Sequence, residues 1–194
     1  MSDASDTVIY VGDLLTFPLG PEPGGPGIIK LRPGLSAGAR LGLRRGTSAT
    51  SWYDTGCRIE ASDPAGALAA YERALAGCPS LADAHNNLGR LHHDAGATAT
   101  AEACYRLAIC ADPSIALYWF NLGVAVEDQG RRAEAVSAYE RAIGLDDGLA
   151  DAHYNLARLL ELTGRRVADH AMLCRAVRHL LRYRQLAKRS ARAH

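Results

Sequence analysis

The sequence predicts an all-α solenoid: helix–turn–helix pairs stacked on one another and closed by a C-terminal capping helix. Three observations predict it. DAHNNLG at 83–89 returns as DAHYNLA at 151–157, with LYWFNLG at 117–123 midway, so one phrase recurs every 34 residues. YERAL at 71–75, YRLAI at 105–109 and YERAI at 139–143 keep the same period. Alanine is abundant and aromatics make up only 6% of the 194 residues, which favours close-packed helices over a sheet sandwich.

Taken in order, residues 1–50 stand apart. TFPLGPEPGGPG (16–27) and LRPGLSAGARLGLRRG (31–46) are rich in Gly and Pro and form no long helix. TVIYV at 7–11 fits one short strand. The segment reads as a disordered or irregular N-terminal arm.

The repeat array is expected over 51–178, in units 51–81, 82–115, 116–149 and 150–178. With units starting at Ala82, Ala116 and Ala150, position 7 is Leu88, Leu122 and Leu156, and position 8 is Gly89, Gly123 and Ala157. Position 15 is Gly96, Gly130 and Gly164; position 24 is Tyr105, Tyr139 and Leu173; position 27 is Ala108, Ala142 and Ala176. Small residues at 8 and 27 let two helices approach, and large ones at 7 and 24 fill the space between them. Glycine inside a helix costs about 1 kcal/mol, so a recurring glycine at 15 belongs in a turn or at a C-cap. Pro79 and Pro113 stop the second helices. A helix this short is marginal alone, so the units must stack to bury their apolar faces.

The last unit departs from the pattern. Asp169 stands at position 20, where the others have alanine, which implies a register shift or an end cap. Residues 171–187, AMLCRAVRHLLRYRQLA, are an amphipathic helix suited to covering the end of the stack, and 179–194 form its basic extension.

These residues carry a family resemblance. Trp119-Phe120-Asn121-Leu122-Gly123, Ala135, Tyr139 and Ala142 resemble the tetratricopeptide repeat over roughly 51–178, and Trp52-Tyr53-Asp54-Thr55-Gly56 with Ala67, Tyr71, Ala74 and Pro79 reads as an earlier, shorter copy. The resemblance implies a right-handed superhelix whose first helices line a concave face. WYDTGCRIEASDP and the repeats after it are also similar to the repeat-bearing C-terminal half of bacterial MerR-type regulators. Those regulators carry an N-terminal helix-turn-helix; residues 1–50 show no such pattern, and DNA binding is not carried over.

Composition excludes several classes of function. The net charge is +1, so no whole-molecule field draws the chain to nucleic acid or membrane. No apolar run approaches the roughly 18 residues of a membrane helix. The MSDASD start is acidic, and the five cysteines form no Cys-x-x-Cys pair, which together predict a cytoplasmic protein with reduced thiols. No phosphate loop, Gly-x-Ser-x-Gly or His-Glu-x-x-His is present, so no catalytic site and no cofactor are expected. His85, His92 and His153 fall at helix–helix seam positions and read as packed or hydrogen-bonded histidines before they read as metal ligands.

The candidate binding residues lie on the first helices. Position 6 is Asn87, Asn121 and Asn155, and an asparagine amide complements the C=O and N–H of an extended peptide. The column resembles the asparagine ladder in the repeats of O-linked N-acetylglucosamine transferase; Asp54 interrupts it in the first copy. Around it stand Asn86, Arg90, Glu127, Asp128 and Arg158, with Phe120 and Tyr154 as apolar anchors. Asp94, Glu127, Asp128 and Glu161 give one rim an acidic cast.

Charge is polarised along the chain. Residues 51–164 hold 8 arginines against 16 acids, and residues 165–194 hold nine basic residues against Asp169 alone. The expected function is a non-catalytic scaffold or adaptor that binds an extended segment of a partner protein in the groove. The alternative is a regulatory protein contacting nucleic acid through the basic C-terminal helix, and self-association of acidic repeats with basic C-termini is a further partner reading.

Overall fold

The computed structural model describes residues 48–192. The expected N-terminal arm and the strand at 7–11 lie outside the described residues. Within them are eight helices: α1 Ala49–Ile59, α2 Pro64–Gly77, α3 Ala82–Asp94, α4 Thr98–Ala111, α5 Ala116–Asp128, α6 Arg132–Leu145, α7 Ala150–Val167 and α8 His170–Arg192. No strand occurs among the described residues. The chain divides between Asp146 and Asp147 into two compact units. The first holds the hairpins α1–α2, α3–α4 and α5–α6; the second holds α7–α8.

Local signals set the helix ends in the first unit. Ser48 caps α1, its side chain accepting from Ser51 N–H at 3.2 Å. Asp63 caps α2 by accepting from Gly66 N–H at 2.9 Å, with Pro64 at the first helical position, where a missing N–H costs nothing. First helices α3 and α5 begin at the repeat origins Ala82 and Ala116. Gly96 and Gly130 turn the α3–α4 and α5–α6 hairpins at φ +79° and +78°, left-handed backbone that other residues adopt at a cost.

The core shows why small and large residues alternate at a fixed spacing. A Cβ added to Gly56, Gly89 or Gly123 would lie 2.5, 2.8 or 2.6 Å from a ring carbon of Tyr71, Tyr105 or Tyr139. The three rings are fully buried, each seated on the glycine of its partner helix. Ala67, Ala101, Ala135, Ala74, Ala108 and Ala142 are fully buried too, because any larger side chain would part the hairpins.

A hydrogen bond the sequence did not advertise ties the first helices α3, α5 and α7 to the turns before them. His85 Nε2 lies 2.8 Å from Pro79 O, and Trp119 Nε1 donates to Pro113 O at 2.9 Å. His153 Nε2 does the same to Asp147 O at 3.2 Å in the second unit. Position 4 is therefore a ring N–H donor reaching back six residues, and histidine or tryptophan serves equally.

The second unit corrects one expectation. Gly164 does not turn the hairpin. α7 runs through it to Val167, and Ala168 ends the helix at φ 54°. The cause is Asp169, whose carboxylate accepts from Ala171 N–H at 2.8 Å and Met172 N–H at 3.1 Å and so fixes the start of α8. Gly164 instead admits the partner helix: a Cβ there would meet Met172 Cβ at 3.0 Å and Leu173 Cδ2 at 3.1 Å. Of the two readings of Asp169, a shifted register at a new helix start is the observed one. α8 is a single helix across the expected boundary at residue 178, packed along α7, with Ala176 buried between them.

Candidate peptide-binding face

In the first unit the candidate residues converge on α3 and α5, and most lie deeper than a free groove surface. Asn86, Asn87, Arg90, Phe120 and Asn121 are at most 3% exposed. Phe120 is therefore corrected from an exposed anchor to a core residue. Its ring sits 5.8 Å from that of Tyr139, because position 5 turns inward on this helix. Glu127 is half-buried and accepts from Tyr139 OH at 2.9 Å; Asp128 is exposed and pairs with His93 Nε2 at 2.6 Å.

The asparagine column differs from the expected ladder in one specific way. Its amide donors point into the preceding repeat. Asn121 Nδ2 donates to Asn86 Oδ1 at 2.9 Å, while Asn87 Nδ2 lies 3.4 Å from Tyr71 OH and 3.5 Å from Tyr53 OH. Asparagine at position 6 thus joins consecutive hairpins. Asn121 Oδ1, by contrast, is buried with no hydrogen-bond partner.

Arg90 organises the other polar cluster. It pairs with Glu60 and, at 3.1 Å, with Asp94, yet its Nε has no partner. Glu60 also accepts from Tyr71 OH at 2.9 Å, as Glu127 does from Tyr139. Burial pushes the hydroxyls of Tyr71 and Tyr105 well above their ordinary value, so both are neutral donors.

In the second unit Asn155 and Tyr154 are buried, and Tyr154, offered as an anchor, instead packs against Tyr183 with centroids 5.2 Å apart and the rings tilted by 51°. Arg158 is half-buried. His153 and His179 face each other, Nδ1 to Nδ1, at 3.0 Å. His153 Nε2 gives its proton to Asp147 O, so its Nδ1 must accept from His179 Nδ1–H. Burial lowers both pKa values, that of His179 to about 4, aided by the charges of Arg175 and Arg178. Arg182 pairs with Asp147, while Arg178, Arg184, Lys188 and Arg189 project from α8 to solvent. Among the described residues no group of three or more His, Cys, Asp or Glu side chains is placed to hold a metal ion, and no helix is long and apolar enough to cross a membrane.

Comparison with known proteins agrees with this geometry. Residues 58–114 and 116–149 each match the tetratricopeptide repeat family. The chain is a tetratricopeptide-repeat protein. No curated protein sequence matches it. Solved tetratricopeptide folds do. The crystal structure of MamA matches over 74% of this chain and 81% of its own, with a TM-score of 0.64 and 18% identity. MamA from Desulfovibrio magneticus RS-1, from residue 41 to its end, matches over 73% and 77%, with a TM-score of 0.61 and 19% identity. The first tetratricopeptide domain of Spaghetti (RPAP3), bound to the HSP90 peptide SRMEEVD, matches over 61% and 94%, with a TM-score of 0.58 and 18% identity. At such identities the likeness is one of fold.

The candidate residues lie on the first helices as expected, and most of them are buried there rather than exposed. Glu60 and Tyr105 join the polar groups of this face without standing out in any single repeat. Comparing positions 12 and 24 between repeats would have found them: Glu60 with Tyr71 and Glu127 with Tyr139 recur, whereas Tyr105 is matched by His93.

Proposed function

We propose that the protein is a non-catalytic scaffold that holds an extended segment of a partner protein against the first helices of its repeats, with Asn86, Asn87, Arg90, Asn121, Glu127 and Asp128 as the face. Asn121 carries the reading. Its amide donor is used inside the array, and its buried Oδ1 lacks a donor. A buried acceptor without a partner costs about 1–3 kcal/mol, and a peptide N–H is the complement. The peptide-bound Spaghetti domain shares the fold, which supports the reading by analogy. Three amide bonds at about 0.5–1.5 kcal/mol each fall short of the roughly 8 kcal/mol of a micromolar complex, so at that affinity the side chains of the segment must supply the rest and offset the cost of ordering it. The five unpaired cysteines suit a reducing compartment such as the cytoplasm.

The test is selection of peptides from a random display library on the whole chain, followed by amide chemical-shift mapping with a selected peptide. Shifts concentrated in 86–94 and 120–128 support the reading. Shifts confined to the second helices, or a library that yields no binder, defeat it.

A second reading has one observation behind it. Arg178, Arg184, Lys188 and Arg189 project from α8 with no acid among them. Binding of duplex DNA or RNA through that helix would weaken steeply with salt, and truncation after Arg178 would abolish it. Sedimentation of the full chain at low and high salt tests self-association through the same residues.

A further inference from the structure

The acceptor missing in the second hairpin defines the chemistry of the partner, on the premise that the face described above binds a segment at all. In the first and third hairpins the position-24 tyrosine donates to a position-12 glutamate: Tyr71 to Glu60 and Tyr139 to Glu127, both at 2.9 Å. In the second hairpin position 12 is His93, which turns away to Asp128. Tyr105 OH is left buried with no acceptor. Arg90 Nε, only 2% exposed as a residue, is a second orphan donor, and Arg90 and Asp94 lie close enough to act on the ionisation of Tyr105. Two buried donors thus lack an acceptor on one edge of one hairpin.

The surroundings decide which acceptor fits. Glu60 and Asp94 already outnumber Arg90, so an incoming carboxylate or phosphate would meet excess negative charge. A neutral main-chain carbonyl meets none. On the solvent side Asp94 and Asp128 stand at position 13 of consecutive repeats, their side chains 57% and 35% exposed. The first helices of this unit and the Glu60 cap carry six acids (Asp54, Glu60, Asp83, Asp94, Glu127, Asp128) against Arg58 and the buried Arg90. Side chains laid along that edge must be cationic to match it. Neighbouring helices pack about 8–10 Å apart, and a polyproline II strand repeats its side-chain direction every three residues, about 9 Å.

We propose that the segment bound at this face is basic and extended, with a cation at every third residue pairing with Asp94 and Asp128 and a main-chain carbonyl accepting from Tyr105 OH and Arg90 Nε. Cationic side chains supply the attraction and the carbonyl fixes the register.

The probe is a fluorescent peptide of four Lys-Ser-Pro units, set against its Glu-Ser-Pro and Ala-Ser-Pro counterparts, titrated into the whole chain and followed by anisotropy. The lysine peptide should bind at least about tenfold more tightly than either counterpart, which is a discrimination of one decade in Kd. Asp94→Asn with Asp128→Asn should weaken it about fivefold, whereas the equal charge change Glu72→Gln with Glu140→Gln on the second helices should not. Tyr105→Phe is the sharper variant. It breaks no bond in the free protein, so the fold should be as stable as wild type, and affinity should fall about fivefold. Tyr71→Phe, which does lose a bond, should lower stability and spare affinity.

Equal binding of the three peptides, equal weakening by the two charge-neutralised variants, or wild-type affinity in Tyr105→Phe would each overturn the inference. If the display library yields binders of other character, the scaffold reading survives and this inference falls. If it yields none, both fall.

Discussion

The glycines of the first unit give a prediction in which one substitution has three different outcomes. Consider Gly123→Ala. Alanine in a helix interior is favoured over glycine by about 1 kcal/mol. Against this, the new Cβ would lie 2.6 and 2.7 Å from Cε1 and Cδ1 of Tyr139, where ordinary carbon contact is about 3.5–4.0 Å. The ring must withdraw by about 1 Å, yet it is fully buried, hydrogen-bonded to Glu127 at 2.9 Å and packed on Phe120. Overpacking of this kind costs about 1–3 kcal/mol, and loss of the hydroxyl bond adds about 1. The net expectation is destabilisation by about 1–3 kcal/mol. Gly130→Ala meets nothing within 4 Å but sits at φ +78°, and should lose about 1–2 kcal/mol through backbone strain alone. Gly144→Ala, within α6 and with nothing within 4 Å, should gain about 0.5–1 kcal/mol. Urea unfolding followed by circular dichroism orders the variants by midpoint at a common slope. Gly123→Ala at or above the wild-type midpoint would refute the reasoning. Tyr139→Leu, by shortening the ring, should recover part of the loss in the double variant.

Other expectations rest on the same geometry. Asp169→Ala removes both cap bonds of α8 and should destabilise the α7–α8 hairpin by about 1 kcal/mol, read as faster amide exchange in its first turn. Trp119→Phe keeps an aromatic side chain but loses the indole N–H bond to Pro113, and should lower the melting temperature by an amount equivalent to at least about 1 kcal/mol. The folded pKa values of His153 and His179 lie below their ordinary 6.5, so the unfolded chain takes up protons first. Their contribution is complete above about pH 6.5 and lost as pH falls toward the folded value of His179, about 4. Urea midpoints across that window should slope, and His179→Phe should flatten the slope. Glu102 adds a separate loss at lower pH, since Arg131, Gln129 and Arg106 hold its carboxyl down to about 2 from 4.5. Its contribution is present above 4.5 and disappears toward 2, a fall that Glu102→Gln should abolish.

What the sequence disclosed and what it withheld divide along a physical line. Period, turn glycines and buried alanines were legible because each is a backbone or volume constraint repeated at a fixed spacing. Gly96 and Gly130 sit in the left-handed turns expected of them, and helices begin at Ala82, Ala116 and Ala150. Gly164 was misread because the end of a helix depends on the residues beyond it, here the Asp169 cap. Phe120 and the asparagines were placed on the right helices but at the wrong depth. Whether position 5 or 6 faces inward depends on how helices of adjacent repeats cross, and spacing within one helix does not encode that angle. The orphaned Tyr105 hydroxyl was invisible for another reason: it is a missing partner, and only a comparison across repeats makes a gap apparent.

The ring N–H bonds at His85, Trp119 and His153 each span six residues, and the side-chain bonds Asn121–Asn86 and Arg182–Asp147 each span 35. Every stabilising pair among these is thus available once a single further repeat has been made. A chain with such short loops to close has low contact order and folds quickly. On the ribosome the three hairpins of the first unit can settle in the order in which they emerge, each templated by the one before. Lengthening or shortening such an array by whole repeats would then leave the folding rate of the remaining hairpins nearly unchanged.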